Sequence, residues 1–390
     1  MTGEGTASPS ILLALAGDAM LGRRVAAELD GARRPALLSA ELEAAVREAD
    51  LFVLNLECCI SSRGTRWPAP EKPFFFRAPP QAAEFLAAIG VDCVTLANNH
   101  ALDFGAEALL DTIEHLARVG ILAAGAGPDL AAARAPAVIG SGGFRLAVVG
   151  VTDHPVGFAA DGERVGVAYA DLRGGEVPVW LLETLASAGT VANAVLLSPH
   201  WGPNLTARPP DHVRAAAAAL RSHATLIAGH SAHVFHGVQT NVLYDLGDFV
   251  NDYVSIRPSR NLLAGIIDKL GKEFGGLRSE AAVALRSRAA GAAARPDLSF
   301  WQQQQVRMRR IARMIRARTM RPDLGLLFLV TLDRHGPRRL EALPLKIGHC
   351  RTEHAAGTEA AFVHRRFRRA CAALGTPVEI RGGRATIVWR

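Results

Sequence analysis

The 390-residue chain is poor in cysteine: Cys58, Cys59, Cys93, Cys350 and Cys371 are its five, and none forms a C-x-x-C pair. An odd count without paired spacing excludes a zinc knuckle and supplies no disulfide framework, so a reducing cytoplasm is the expected compartment. Long apolar runs are missing too. Ile11–Ala16 and Ala215–Leu220 are among the longest, far short of the ~20 residues that cross a bilayer, so no membrane partner is expected. The first ten residues hold no Lys or Arg, which leaves no charged region for a secretory signal. Apolar material as such is not scarce. With 49% hydrophobic and 21% charged residues, the chain can bury a sizeable core, and disorder as its overall state is excluded.

Charge of one sign is absent from most of the chain but concentrated in one stretch. The formal net charge is +7, yet residues 256–320 alone carry 14 Lys or Arg against four Asp or Glu, which leaves the rest slightly negative. Within that stretch Trp301–Arg318 places Val306, Met308, Ile311, Met314 and Ile315 among arginines, the pattern of a basic amphipathic helix. We therefore divide the chain into a catalytic domain over 10–255, a basic helical insertion over 256–320, and a return of strands and helix to the first domain over 321–390. The arginines of the insertion suit an acidic or C-terminal carboxylate group of a peptide, and its apolar face suits docking on the domain. No nucleic-acid-binding motif is present, so nucleic acid is not the expected partner. The oligomeric state is not legible.

What remains is an alternation. Leu12–Ala16, Leu51–Leu54, Val91–Leu96, Leu146–Val151, Ala194–Ser198, Leu226–Ala228 and Asn241–Tyr244 are short, rich in Val, Leu and Ile, and bounded by Gly, Pro, Asp or Asn, as buried strands are. Ser39–Ala49, Pro80–Ile89, Ala106–Val119 and Pro210–Ser222 read as helices between them. Such alternation predicts an α/β fold whose chemistry gathers at the carboxyl ends of the strands. After the strands come Gly17-Asp18, Asn55-Leu56-Glu57, Asn98-Asn99-His100 with Asp103, His200-Trp201-Gly202, Gly229-His230 with His233, and Gly247-Asp248. Six groups of Asp, Glu, Asn and His at one edge predict a cation held by oxygen and imidazole nitrogen.

The wording and order of these motifs resemble the CapA (poly-γ-glutamate synthesis protein) family of calcineurin-like metallophosphoesterase folds: "AGDAMLGR", "VLNLECCIS", "FFRAPP", "VTLANNHALDFG", "SPHWGPN", "GHSAHVFHGV" and "LYDLGDFVNDY". The resemblance implies a four-layer αββα sandwich with a metal at the strand ends. It also shows departures. Met20 stands where such folds usually carry the His of an Asp-x-His pair, and Glu57 where they carry a bridging Asp. One divalent ion (calcium, manganese or zinc) is therefore expected, with Glu57, Asn99, His200 and His230 as ligands.

The resemblance places His100 beside the metal as an acid–base group. Asp103 lies three residues on, where a helix starting here would orient the imidazole. His233 with Asp18 would form a second imidazole–carboxylate pair. Arg77, Arg23 and Trp201 are the expected substrate contacts. Asp245 and Asp248 stand either as supports of the histidines or as loop caps, and Cys58 and Cys59 as buried spectators. Three activities fit: phosphoester hydrolysis, a role in making a poly-γ-glutamyl polymer, and two-base epimerisation. Two opposed imidazoles favour the last, and within the family this resembles the lasso-peptide epimerases of the MslH type. The expectation is thus an isomerase, a peptide epimerase inverting the C-terminal residue of a ribosomal precursor peptide.

Overall fold

The strand Ser10–Ala19 is apolar along almost its whole length and buried on both faces, the composition of a central strand in a covered sheet. It runs parallel to Leu51–Leu56 and Asp248–Val250 and antiparallel to Leu324–Asp333. Through these pairings it centres a ten-stranded sheet that continues on one side to Cys93–Thr95 and Leu122–Ala124, and on the other to Gly336–Ile347, Arg384–Val388 and Glu379–Arg381. A six-stranded sheet holds Ala137–Ser141, Phe144–Thr152, Ala194–His200, Leu226–Ala228, Val242–Leu243 and Val238–Gln239. The structure, a computed structural model, describes residues 9–31, 36–69, 72, 74–174, 176–252 and 321–389. The expected basic helix and the whole of the 256–320 insertion lie outside the described residues.

Alternation along the strands sets the layers. Leu13 and Leu15 point into a core shared with Leu146, Val148, Leu196 and Leu226 of the second sheet. Their neighbours Ala14 and Ala16 join Val25, Leu42, Phe85 and Leu109, which come from helices Arg23–Leu29, Ala40–Arg47, Gln81–Ala88 and Gly105–Arg118. On the far face of the second sheet, Val149 and Leu197 meet Leu181, Leu185, Val213 and Leu220 from helices Val179–Val191 and Asp211–Leu220. A period of two thus buries each sheet on both faces, against the other sheet and against helices. The result is a mixed α/β fold with several sheets. Among the described residues no helix is long and apolar enough to cross a membrane.

The helix starts follow local chemistry. Ser39 precedes Ala40–Arg47 and its Oγ accepts the Leu42 N–H at 3.3 Å, with Glu41 and Glu43 in the first turn, a capped and dipole-matched start. The stretch after Thr95 departs from expectation. No helix begins at His100; residues 98–104 run through bends and turns, and the helix starts only at Gly105.

Parallel pairing brings strand ends to one edge. In the first sheet Asp18 is in register with Asn55 and with Asp248; in the second, Thr152 is in register with His200. Ser198 Oγ and Thr95 Oγ1, 3.3 Å apart, join the two sheets at this edge. Gly17 makes the close crossing possible. A Cβ there would overlap the Gly247 carbonyl, and Asp18 donates its backbone N–H to that same oxygen at 2.8 Å.

Candidate metal centre

Three strand ends supply the centre. Asp18, Glu57 and His233 offer ligand atoms within 4.8 Å of one another, and all three residues are buried. Asp18 Oδ1 accepts from Asn55 Nδ2 at 2.8 Å and lies 3.0 Å from His230 Nδ1. His200 Nε2 lies 3.6 Å from Glu57 Oε1. Around His233 Nδ1 stand three carboxylates, Asp248 at 2.9 Å, Asp18 at 3.1 Å and Glu57 at 3.7 Å. Ser231 and His233 adopt left-handed backbone, φ 99° and 55°, conformations that β-carbon-bearing residues hold only when their surroundings enforce them.

The electrostatics follow from burial against proximity. Burial alone would raise the Asp18 carboxyl, but hydrogen bonds from His230 and His233 outweigh it and hold it well below the usual range. Burial would lower His233, yet Glu57, Asp248 and Asp18 drive it well above the ordinary imidazole value. Asp248 is pushed up to about 6 by burial, with His233 opposing the shift. Burial, together with His154, keeps His200 well below its ordinary value, hence as the neutral imidazole that binds metals.

These residues fit a divalent cation. One ring nitrogen can donate a single proton to one acceptor, yet three buried carboxylates converge on His233 Nδ1. One proton cannot balance them, and buried charge without compensation is costly. A cation among Asp18, Glu57 and His233 answers that excess, with a donor set of carboxylate oxygen and imidazole nitrogen.

His100 and Asp103 form an imidazole–carboxylate pair of their own. His100 Nδ1 is 2.7 Å from Asp103 Oδ2, and the same oxygen accepts the Phe76 N–H at 2.6 Å. The turn delivers the contact that a helix was expected to give, since the Asp103 N–H donates to the His100 carbonyl at 3.2 Å. Asp103 caps no helix; the helix start has Phe104 in that position and no side-chain cap. The Phe76 ring packs edge-on against His100 with centroids 4.6 Å apart.

Other expected site residues fall in different places. Asn99 is buried at 5% exposure within the turns. Trp201 is 3% exposed and its indole N–H donates to the Tyr244 carbonyl at 3.0 Å, so it packs in the core instead of facing a substrate. Arg77 lies over the Phe104 ring at 4.2 Å and donates to the Arg63 carbonyl at 3.1 Å. Met20 packs in the core of the first sheet. The two aspartates weighed together separate: Asp248 contacts His233 and accepts from Asn251 Nδ2 at 2.9 Å, while Asp245 accepts the Ala232 and Gly247 N–H groups at 2.7 and 2.9 Å. Cys58 and Cys59 are buried, and burial pushes the Cys58 thiol up to about 12.

Two groups had no role assigned from sequence: Asn55, noted there only within a strand-end motif, and the pair Asp153-His154. Asn55 accepts from Thr95 Oγ1 and Asn98 Nδ2 at 3.2 and 3.0 Å while donating to Asp18, which ties three strand ends together. Asp153 engages His154 Nδ1 and accepts the Gly202 N–H at 3.0 Å, and the His154 ring lies 5.2 Å from that of His200. Asp153-His154 directly follows the Phe144–Thr152 strand, so the strand-end rule would have found the pair had it been applied to every strand.

Comparison with known proteins bears on this site. A Mycobacterium tuberculosis protein with the name "Probable polyglutamine synthesis accessory protein" is 34% identical over 227 residues, 53% of this chain and 57% of the relative. The PGA biosynthesis protein CapA of Bacillus subtilis is 28% identical over 243 residues, covering 60% of this chain and 62% of its own length. The capsule biosynthesis protein CapA of Bacillus anthracis is 25% identical over 253 residues, 62% of this chain and 60% of the relative. The chain thus spans roughly 60% of the length of the curated relatives it matches. Two solved structures, a hypothetical protein from Thermus thermophilus (15% identity, 88% of this chain and 96% of that one, TM-score 0.37) and the sulfate thiohydrolase SoxB of the same species (16%, 56% and 47%, TM-score 0.31), are too distant in shape to bear on the argument.

These relatives correct the expected activity. They are named for polymer synthesis and capsule formation, not for epimerisation, and the isomerase assignment falls with them. Its physical basis was also narrow, because His233 sits among three carboxylates and is not the counterpart of His100, which has one. The bacterial capsule synthesis protein profile, PGA_cap, matches residues 12–253, a span that holds Asp18, Glu57, His100, Asp103, His200, His230, His233 and Asp248, and the chain belongs to that family.

Proposed function

We propose that this chain serves the synthesis of a poly-γ-glutamyl polymer as a metal-assisted hydrolase that trims the polymer at its amide bonds. The observation that carries the proposal is the family match over residues 12–253, within which a buried cation-ready cluster and a separate proton-carrying dyad both fall. The layering and the strand-end site support a calcineurin-like metallophosphoesterase architecture. Asp18, Glu57 and His233 would hold the cation, with His200 and His230 beside them. Calcium, manganese and zinc all suit an oxygen and imidazole set. Bound there, a divalent ion supplies Lewis acidity toward a carbonyl oxygen and a more acidic water.

The chain's own residues supply the proton chemistry. Asp103 holds His100 Nδ1 and orients the ring, which suits the imidazole to carry a proton to the departing amide nitrogen. The Phe76 ring walls one side of the imidazole and limits its motion. Asn55 and His230 fix Asp18 from two sides, so the carboxylate keeps one orientation as substrate enters. Hydrolysis consumes one water per bond and releases one carboxylate and one amine.

The test is direct. Poly-γ-glutamate incubated with metal-loaded protein should shorten on size-exclusion chromatography and stay intact with a chelator or with His100→Ala. Unchanged polymer length with fully loaded parent protein would overturn the reading.

A further inference from the structure

We propose that Arg23 is the specificity-determining residue of this site, selecting substrates that carry a free carboxylate one or two residues from the bond presented to His100; the inference rests on the polymer-trimming reading above. The local structure is built for such a role. Gly22 lets the chain approach the backbone at Phe76 and Arg77, since a Cβ there would lie 2.8 Å from Phe76 Cα and Arg77 N. Arg23 then takes left-handed backbone at φ 60°, a conformation that costs an L-residue energy and persists where the surroundings enforce it.

The side chain is aimed and half-fixed by this geometry. Its Nε lies 3.1 Å from Asp252 Oδ2, an acid only 3% exposed, whereas the Arg23 side chain itself is 39% exposed. The guanidinium sits 5.8 Å from the Phe74 ring centre and 5.7 Å from that of Phe76, two rings nearly parallel at 14°. Phe76 in turn packs on His100. The Phe76 ring thus touches both a partly exposed guanidinium and the acid–base imidazole, a spacing of about one or two γ-linked units, each longer than the ~3.5 Å of an extended α-linked residue. Asp252 orients the planar fork and the aromatic faces remove its freedom, so little entropy remains to be lost when it meets a carboxylate. A polymer with a carboxylate on every unit always offers one at that distance. A neutral amide in the same place offers the fork no charge beyond that of Asp252.

The experiment measures binding, separately from cleavage. A fluorescent γ-linked glutamyl pentamer and the same pentamer with its side carboxylates converted to carboxamides are titrated by anisotropy at physiological salt. Parent protein should bind the acid at least tenfold more tightly. Arg23→Gln should erase that preference, Arg23→Lys should keep only part of it because a point charge lacks the fork, and Arg24→Gln should keep all of it. Equal binding of acid and amide by the parent overturns the proposal without any variant, as does a full preference surviving in Arg23→Gln. Polymer that stays long while the parent still discriminates acid from amide would count against hydrolysis and leave this assignment standing.

Discussion

Among the imidazole–carboxylate assemblies described, those of His100 and His233 are built differently. His100 and Asp103 are three residues apart and meet through a turn, one nitrogen against one carboxylate oxygen at 2.7 Å. His233 is met by Asp248 from 15 residues away, and by Asp18 and Glu57 from strands near the start of the chain. The dyad is balanced: one acid, one base, one proton to share. The cluster has more negative charge than its imidazole can answer. A balanced pair is suited to moving a proton, and an over-charged pocket to holding a cation.

Breaking each assembly separately tests that division. Asp18→Ala should have the largest effect. It should abolish retention of a divalent ion and destabilise the fold by about 3–5 kcal/mol, because His230 and His233 lose a buried anion; metal analysis and urea titration measure both. Asp103→Ala should leave metal content intact, and its loss of the ion would erase the distinction. Next comes His100→Ala, expected to slow polymer cleavage ~10²–10⁴-fold with metal retained, read from initial rates at equal metal occupancy.

Another imidazole sharpens the contrast because, among the described residues, no acid side chain contacts it. His236 meets the Thr206 carbonyl at 2.8 Å, and burial lowers it from 6.5 to about 4 despite that hydrogen bond. Its folded value lies below its unfolded one, so the unfolded chain binds the extra proton first. The stability present above pH 6.5 should therefore drain away as pH falls toward 4, by about 3 kcal/mol for this group. His236→Gln should flatten that part of the stability–pH curve in chemical denaturation. A parallel slope in parent and variant would assign the acid sensitivity elsewhere. The smallest effect belongs to Asp248→Asn, which keeps the shape but removes one charge beside His233. Metal affinity should weaken about 10- to 100-fold, measured by competition with a chromophoric chelator, while the His100 dyad continues unchanged.

What could be read from sequence was what is local. The alternation of apolar runs marked the strands, because a strand buried on both faces must be apolar throughout. The three-residue spacing marked His100 and Asp103, because either a helical turn or the observed turn closes that gap. Longer-range outcomes were less legible. Gly336–Ile347 has charged and proline residues and was not read as a strand. Yet Pro344 falls between Arg339–Ala342, which pair with Arg384–Val388, and Leu345–Ile347, which pair with Thr352–His354, so its missing N–H interrupts neither ladder. Helix Val179–Val191 is apolar over much of its surface and has little of the periodicity by which a helix is recognised.

At the site the same line divides the result. Sequence alone determined that acids and imidazoles would follow the strands, since polar groups at the end of a buried strand can stay only where a loop or ligand satisfies them. Only the tertiary structure decided which of them meet. Parallel register set Asp18 against Asn55 and Asp248, and the close passage of Gly17 under the Gly247 carbonyl brought three carboxylates to one ring nitrogen. Convergence of that kind depends on ångström-scale register between segments far apart in the chain, and composition and local spacing carry no such distance.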